Sequence, residues 1–158
     1  MENHIKSTHI LVGWKMHESK LNMYKNLLQL RKINGCQVVR KKRNSFSVEI
    51  LIRDGRYKIR IDYHEKGFPE IYVVSPEIDM SSFLEIHTFG LKYHGDYNRE
   101  LPKLCLTHYS IDKWNSSIML SESYIPWAIE WTEFYEIWLL TGKWYGGGIH
   151  PESEKENE

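Results

Sequence analysis

The residue in this sequence with the clearest chemical potential is Cys105, one of only two cysteines among 158 residues. It lies between two leucines in the segment LPKLCLTHYSIDKW, residues 101–114, and Trp114 follows nine positions later. A thiolate is a strong nucleophile that forms acyl intermediates, so covalent acyl transfer is one interpretation. The other is a buried structural thiol, because free cysteine is among the most frequently buried residue types. The two flanking leucines do not decide between these interpretations.

Histidines near Cys105 in the sequence raise two further alternatives. Cys105 and His108 form a C-x-x-H pair that, with His94 or His150, could in principle make a zinc site. Structural zinc sites usually show two paired spacings, and this chain has one, so no metal is predicted. A cysteine hydrolase with one of these histidines as the base is also conceivable, but no local hydrolase signature is present.

The composition excludes several classes of function. The formal net charge is zero, with 21 basic and 21 acidic residues, so no overall field favours nucleic acid or an anionic membrane. The run from Arg40 to Arg43 is too short to indicate a nucleic-acid site. The sequence contains no glycine-rich phosphate-binding motif, so no nucleotide cofactor is predicted. No apolar run reaches the length of a membrane span, and no secretory signal is visible, so we expect a cytoplasmic protein with reduced thiols.

The chain reads as one folded domain between two polar ends. Residues 1–16 have no clear periodicity and are expected to form an N-terminal arm. Residues 17–150 form the predicted domain, and residues 151–158 form an acidic tail that is expected to be disordered.

The elements that would position Cys105 begin with a helix near residues 17–35. Leu21, Tyr24 and Leu28 form one apolar stripe there, with Leu27 beside it, and Asn34-Gly35 is typical of a helix end.

A β-hairpin over residues 46–63 follows this helix. The Asp54-Gly55 turn fixes the register of the two strands and pairs Phe46 with Tyr63. The other cross-strand pairs on the same face as this pair are also apolar. The other face, with Glu49 opposite Arg60, is expected to be largely wet. One strand before the hairpin and one after it, EIYVVS, complete a predicted four-stranded antiparallel meander.

An irregular stretch and a strong helix flank Cys105. Residues 76–102 mix turn residues with scattered aromatics, and a long irregular stretch in a small domain is often functional. The segment IPWAIEWTEFYEIWLLTG predicts a helix with Pro126 in its first turn and Gly142 at its end. Its apolar stripe comprises Trp127, Trp131, Phe134 and Trp138. The three glycines at 146–148 indicate either a flexible exit or close backbone packing.

The order of these elements resembles the ubiquitin-conjugating-enzyme (UBC-like) fold. The segment FPEIYVVSPEI looks like the last strand of that family, and Leu104-Cys105-Leu106 with Trp114 matches its active-site segment. A bacterial branch of the family, found in anti-phage operons of the CBASS type, is more similar. Its C-terminal signature is matched here by Pro126-Trp127, Trp131, Tyr135-Glu136, Trp138, Thr141-Gly142, Trp144 and the glycines before His150.

The resemblance implies an α+β fold with an N-terminal helix, a four-stranded antiparallel meander and C-terminal helices. It also implies that Cys105 is catalytic and carries the C-terminus of a partner protein as a thioester. That partner would be a CBASS cyclic-oligonucleotide synthase, a nucleotidyltransferase, and the acceptor would be a lysine of a target protein. The family's His-Pro-Asn triplet is absent, and His94 and Asn98 are the candidates to steady the oxyanion in its place. The alternative function is a UBC-like module that docks a partner without chemistry.

Overall fold

The computed structural model describes residues 18–106 and 114–147, in which one helix precedes a six-stranded antiparallel sheet and a second helix follows it. Helix α1 covers residues 18–31. The strands are β1 (Cys36–Lys41), β2 (Ser45–Ile52), β3 (Tyr57–His64), β4 (Glu70–Ser75), β5 (Thr88–His94) and β6 (Arg99–Leu104). A short 3-10 helix, Leu120–Glu122, leads into helix α2, Tyr124–Thr141. The predicted arm and tail, together with His108 and His150, lie outside the described residues.

The α+β class is confirmed, but the predicted number of strands is wrong. The sheet has the order β1-β2-β3-β4-β6-β5, so two strands occupy a stretch that was expected to be irregular. Its pattern is obscured by Gly90, which has a φ of 83° beside a register shift, and by Pro102 inside β6. Within the described residues, the expected C-terminal helices comprise α2 and the short 3-10 helix. The UBC-like fold itself stays a prediction.

The hairpin register is confirmed over its whole length. Phe46 pairs with Tyr63, Ile52 pairs with Tyr57, and Glu49 pairs with Arg60. The prediction that the polar face is largely wet is wrong at its centre, because Arg60 is only 1% exposed. The tip of the β5–β6 hairpin lies over this face and supplies the Arg60 guanidinium with an acidic partner, Asp96.

Helix α1 buries a different face from its most obvious apolar stripe. Leu21 and Leu28 are half exposed, and Tyr24 is also exposed, whereas the core side chains of this helix are Met23, Leu27 and Leu30. The buried face of α1 differs from the apolar stripe because it also contains two asparagines, Asn22 and Asn26. Asn26, for example, accepts a hydrogen bond from the Leu120 N–H at 2.8 Å and is fully buried beside the core residues. A polar side chain can occupy a buried helix position when its hydrogen bonds are satisfied.

The buried side chains of helix α2 share one hydrophobic core with those of the sheet, and the helix has the predicted ends. Pro126 lies in its first turn. Gly142 has a left-handed φ of 71°, and its N–H donates to the Trp138 carbonyl at 2.7 Å. Glu136 fastens the helix to the β2–β3 hairpin, because its carboxylate accepts hydrogen bonds at 3.1 Å from the side chains of Arg53, Arg56 and Tyr57. None of the described helices is long and apolar enough to cross a membrane.

Candidate functional site

Cys105 lies where β6 ends, directly after Leu104, and its side chain is partly buried. Its backbone N–H donates to the His87 carbonyl oxygen at 3.1 Å. His87 comes immediately before β5 and has a positive φ of 56°, which non-glycine residues adopt uncommonly. The hydrogen bond extends the pairing between β5 and β6 by one step and fixes the main chain at the cysteine.

Helix α2 anchors the segment that leads to His87. The Trp131 Nε1–H donates to the Ile86 carbonyl at 2.7 Å, and the Tyr135 hydroxyl accepts from the Asp79 N–H at 2.9 Å. The Trp131 and Tyr135 rings stack with centroids 5.2 Å apart. The two aromatic residues of the C-terminal signature therefore hold residues 79–86 against the helix, and through His87 they support the backbone of Cys105.

An open cleft of about 360 Å³ adjoins Cys105. Trp127 and Phe134 project into it from α2, and Glu130 lies between them in the sequence of the same helix. Both aromatic side chains are half-buried, whereas Trp138 of the predicted stripe belongs to the core, and the buried Trp131 belongs to the core and also lines the cleft. The stripe therefore has two roles, because part of it builds the core and part of it lines the cleft.

The chain after α2 folds back to form another wall of the cleft. The Trp144 ring stacks on the His87 ring with centroids 5.4 Å apart and also contacts the ring of Phe134. A Cβ atom at Gly146 would lie 2.6 Å from the Trp144 Nε1, so a larger residue would force the indole to move. Of the two interpretations of the glycine run, close packing applies at Gly146.

The structure does not bring His94 or Asn98 to Cys105. In the β5–β6 ladder, Thr88 pairs with Leu104, whereas His94 pairs with Arg99 at the opposite end. The five residue-to-residue steps from Arg99 to Leu104 span roughly 16 Å at about 3.3 Å per step. Both predicted oxyanion residues therefore lie at the far tip of this hairpin.

At that tip, His94 and Asn98 have local partners. The His94 Nε2 lies 2.8 Å from the Asp62 Oδ2, and the Asn98 Oδ1 accepts a hydrogen bond from the Tyr93 hydroxyl at 2.7 Å. Asn98 also has a positive φ of 52°, which asparagine tolerates better than most residues.

A charge network centred on the buried Arg60 side chain surrounds His94. The Arg60 guanidinium donates to Asp62 at 2.7 Å and to Asp96 at 2.6 Å. Burial raises the pKa of the Asp62 carboxyl, but hydrogen bonds from Ser47, Arg60 and His94 outweigh that effect, and the net pKa lies below the ordinary value. These contacts make the polar face of the sheet a structural region that secures the β5–β6 hairpin.

The sequence did not identify His87, Glu130 or Trp144 as residues of the site. The His87 carbonyl contacts Cys105 through a main-chain hydrogen bond, and a pattern of residue types in the sequence cannot predict such a contact. Glu130 and Trp144 come to the cleft through the packing of α2 and of the segment after it. Trp144 was part of the C-terminal signature, which was the available signal.

The predicted absence of a metal site is not tested by this structure. Within the described residues, no group of three or more histidine, cysteine, aspartate or glutamate side chains is arranged to hold a metal ion. Two histidines of the zinc alternative, His108 and His150, lie outside those residues.

A family model described as "Type II CBASS E2 protein" matches residues 25–151. This match covers most of the chain and includes the sheet, Cys105, helix α2 and the aromatic cleft. None of the curated proteins compared with the chain matches it.

Proposed function

The chain belongs to the family of Type II CBASS E2 proteins, and on this basis we propose that it is a conjugating enzyme whose nucleophile is Cys105. The family supports a role in CBASS anti-phage defence. The observation that supports the thioester mechanism best is the position of Cys105, which is partly buried, fixed through its backbone to His87 and adjacent to an open cleft.

In the proposed reaction, the Cys105 thiolate attacks the activated C-terminal carbonyl of a donor protein and expels the activating group. The donor is then held as a thioester. An amine, here a lysine of a target protein, attacks the same carbonyl, the carbon–sulfur bond breaks and an amide forms. The donor is the C-terminus of the CBASS cyclic-oligonucleotide synthase, and its carboxyl group is activated before it reaches Cys105.

We propose that positioning supplies most of the rate enhancement at Cys105. A thioester is already reactive toward amines, so holding the two reactants in a productive geometry can provide a large acceleration. His94 and Asn98 then stabilise the hairpin, and neither is required to contact the reacting carbonyl.

The proposal is tested by expressing the protein with its operon neighbours and analysing it by gel electrophoresis with and without thiol. The wild-type protein is expected to form an adduct with the synthase that thiol removes. Cys105→Ala is expected to lose the adduct, and Cys105→Ser is expected to give a thiol-resistant ester. Cys36→Ser is the matched control, because it removes the other, partly buried cysteine, and it is expected to retain the adduct.

A non-catalytic docking module is the competing function. The aromatic walls of the cleft favour this alternative, since aromatic residues are enriched in binding surfaces. If the protein is such a module, no covalent adduct forms, and the Cys105→Ala variant binds the partner as tightly as the wild type does. The enzyme predicts an adduct that depends on Cys105.

A further inference from the structure

The cleft beside Cys105 combines aromatic walls with one carboxylate. The walls include the side chains of Trp127, Phe134 and Trp144, and the carboxylate is that of Glu130. The described residues that line the cleft include no lysine or arginine. In addition to Glu130 and Cys105, the titratable side chain among them is that of His87. Aromatic faces attract cations, most strongly at tryptophan, and a carboxylate adds direct charge complementarity.

We propose that this cleft receives the side chain of the acceptor lysine and that Glu130 positions its ammonium group near Cys105. The aliphatic part of a lysine can lie along apolar surface while its charged end contacts an acid, which suits a cleft of this composition. This inference rests on the proposed thioester function and assigns the acceptor to a defined surface.

The acceptor is the occupant that the charges of the cleft favour. The donor approaches with an activated carbonyl and carries no positive charge at its reacting end, so Glu130 offers it no complementary partner. The acceptor arrives as an ammonium ion. Once it has lost a proton to solvent, its nitrogen attacks the thioester carbonyl, the carbon–sulfur bond breaks, and the departing Cys105 thiolate takes up the second proton that the nitrogen loses as the amide forms. Glu130 is therefore a positioning residue for the charged acceptor.

Formation of the thioester (loading) and its reaction with an amine (discharge) are measured separately. This design separates a role of Glu130 in positioning the acceptor from a role in loading. The thioester is first formed with the synthase, free of excess donor, and its decay is then followed after addition of free L-lysine or hydroxylamine. Hydroxylamine is largely uncharged at neutral pH and serves as the nucleophile that needs no anionic partner. The variants are Glu130→Gln and, as a matched control on the same helix, Glu133→Gln, which alters an exposed carboxylate outside the cleft lining.

Glu130→Gln is expected to slow discharge to lysine by about fivefold, the upper end of the effect of an exposed ion pair. Loading, discharge to hydroxylamine and both reactions of Glu133→Gln are expected to stay at wild-type rates. Glu130→Asp, which keeps the charge, is expected to recover part of the lost rate.

Three results would overturn the assignment. Glu130→Gln could discharge to lysine at the wild-type rate, it could slow both nucleophiles equally, or it could slow loading, which would indicate that the donor occupies the cleft. A wild-type protein that never loads would contradict the proposed function itself, so the two failures are distinguishable.

Discussion

The indole N–H of Trp131 donates a 2.7 Å hydrogen bond to the Ile86 carbonyl, and this contact joins helix α2 to the segment that supports Cys105. Ile86 is fully buried, and the next residue, His87, accepts the hydrogen bond of the Cys105 N–H. The position of the cysteine therefore depends on a helix that begins 19 residues later in the sequence. A tryptophan of the C-terminal signature acts on the site through this main-chain connection.

Replacing Trp131 with phenylalanine is expected to destabilise the protein and to slow thioester formation. The variant leaves a buried carbonyl without its donor, which costs about 1–3 kcal/mol. Urea denaturation measures the stability loss, and a loading assay on folded protein measures the functional loss.

Trp138→Phe is the control for this variant. Trp138 is also buried on α2, but its Nε1 has no hydrogen-bond partner in the part of the chain that the structure describes. It should therefore lose less stability than Trp131→Phe and load normally. Equal losses in the two variants would show that the hydrogen bond to Ile86 is unimportant.

Arg60→Met is expected to be strongly destabilising. The Arg60 side chain is 1% exposed and pairs with both Asp62 and Asp96, so its removal deprives these two partly exposed carboxylates of the buried cation that they share. Breaking a fully buried ion pair typically costs about 3–5 kcal/mol, and the partial exposure of both carboxylates puts the expected cost near the lower end of that range, at about 3 kcal/mol. Denaturant titration measures the change, and Arg40→Met, which removes an exposed partner of Asp96, is expected to cost much less. Similar costs for the two variants would contradict the structural role of the buried network.

The same network predicts a loss of stability in acid. The pKa of Asp62 in the folded protein lies below its ordinary value of 3.8, so its contribution is fully present above that pH. It is lost as the pH falls through the folded-state pKa. The free energy of unfolding, measured from neutral pH to about pH 3, should decline less steeply in Asp62→Asn than in the wild type. Parallel declines would show that this carboxyl does not contribute.

His94 and Asn98 provide a test of the catalytic role first suggested for them. His94→Ala removes a contact with the partly buried Asp62 carboxylate and is expected to cost about 2 kcal/mol of stability, as is typical of hydrogen bonds to charged groups. Asn98→Gly suits the left-handed backbone at that position and should be nearly neutral. Both variants are expected to load at the wild-type rate in a thioester assay on folded protein. A folded variant that cannot load would restore the oxyanion hypothesis.

The sequence predicted the parts of the fold that local chemistry determines. The Asp54-Gly55 turn set the register of β2 against β3, and Gly142 ended α2 as expected. The orientation of α1 could not be predicted from apolar spacing, because Asn22 and Asn26 are buried through hydrogen bonds to residues more than 90 positions away. Apolar periodicity cannot report such distant polar partners.

Of the residues at the candidate site, the sequence pointed directly to the proposed nucleophile, Cys105. Cys105 was selected because its segment resembles the active-site segment of a known family, since the flanking leucines alone do not separate a nucleophile from a structural thiol. His94 and Asn98 were selected by their spacing from Cys105 in the sequence, but an antiparallel hairpin places them at the opposite end of β6. His87 is 18 residues before Cys105 and reaches it through strand pairing, which requires knowledge of β5 and β6.

The most direct test of the central claim is the intact mass of Cys105→Ser after expression with the synthase. If residue 105 accepts the donor, a fraction of the protein should gain the mass of the donor chain less one water. Peptide mapping should locate the ester at residue 105, and hydroxylamine should remove it. Under the same conditions, no such adduct, or an adduct that persists in Cys105→Ala, would contradict the account.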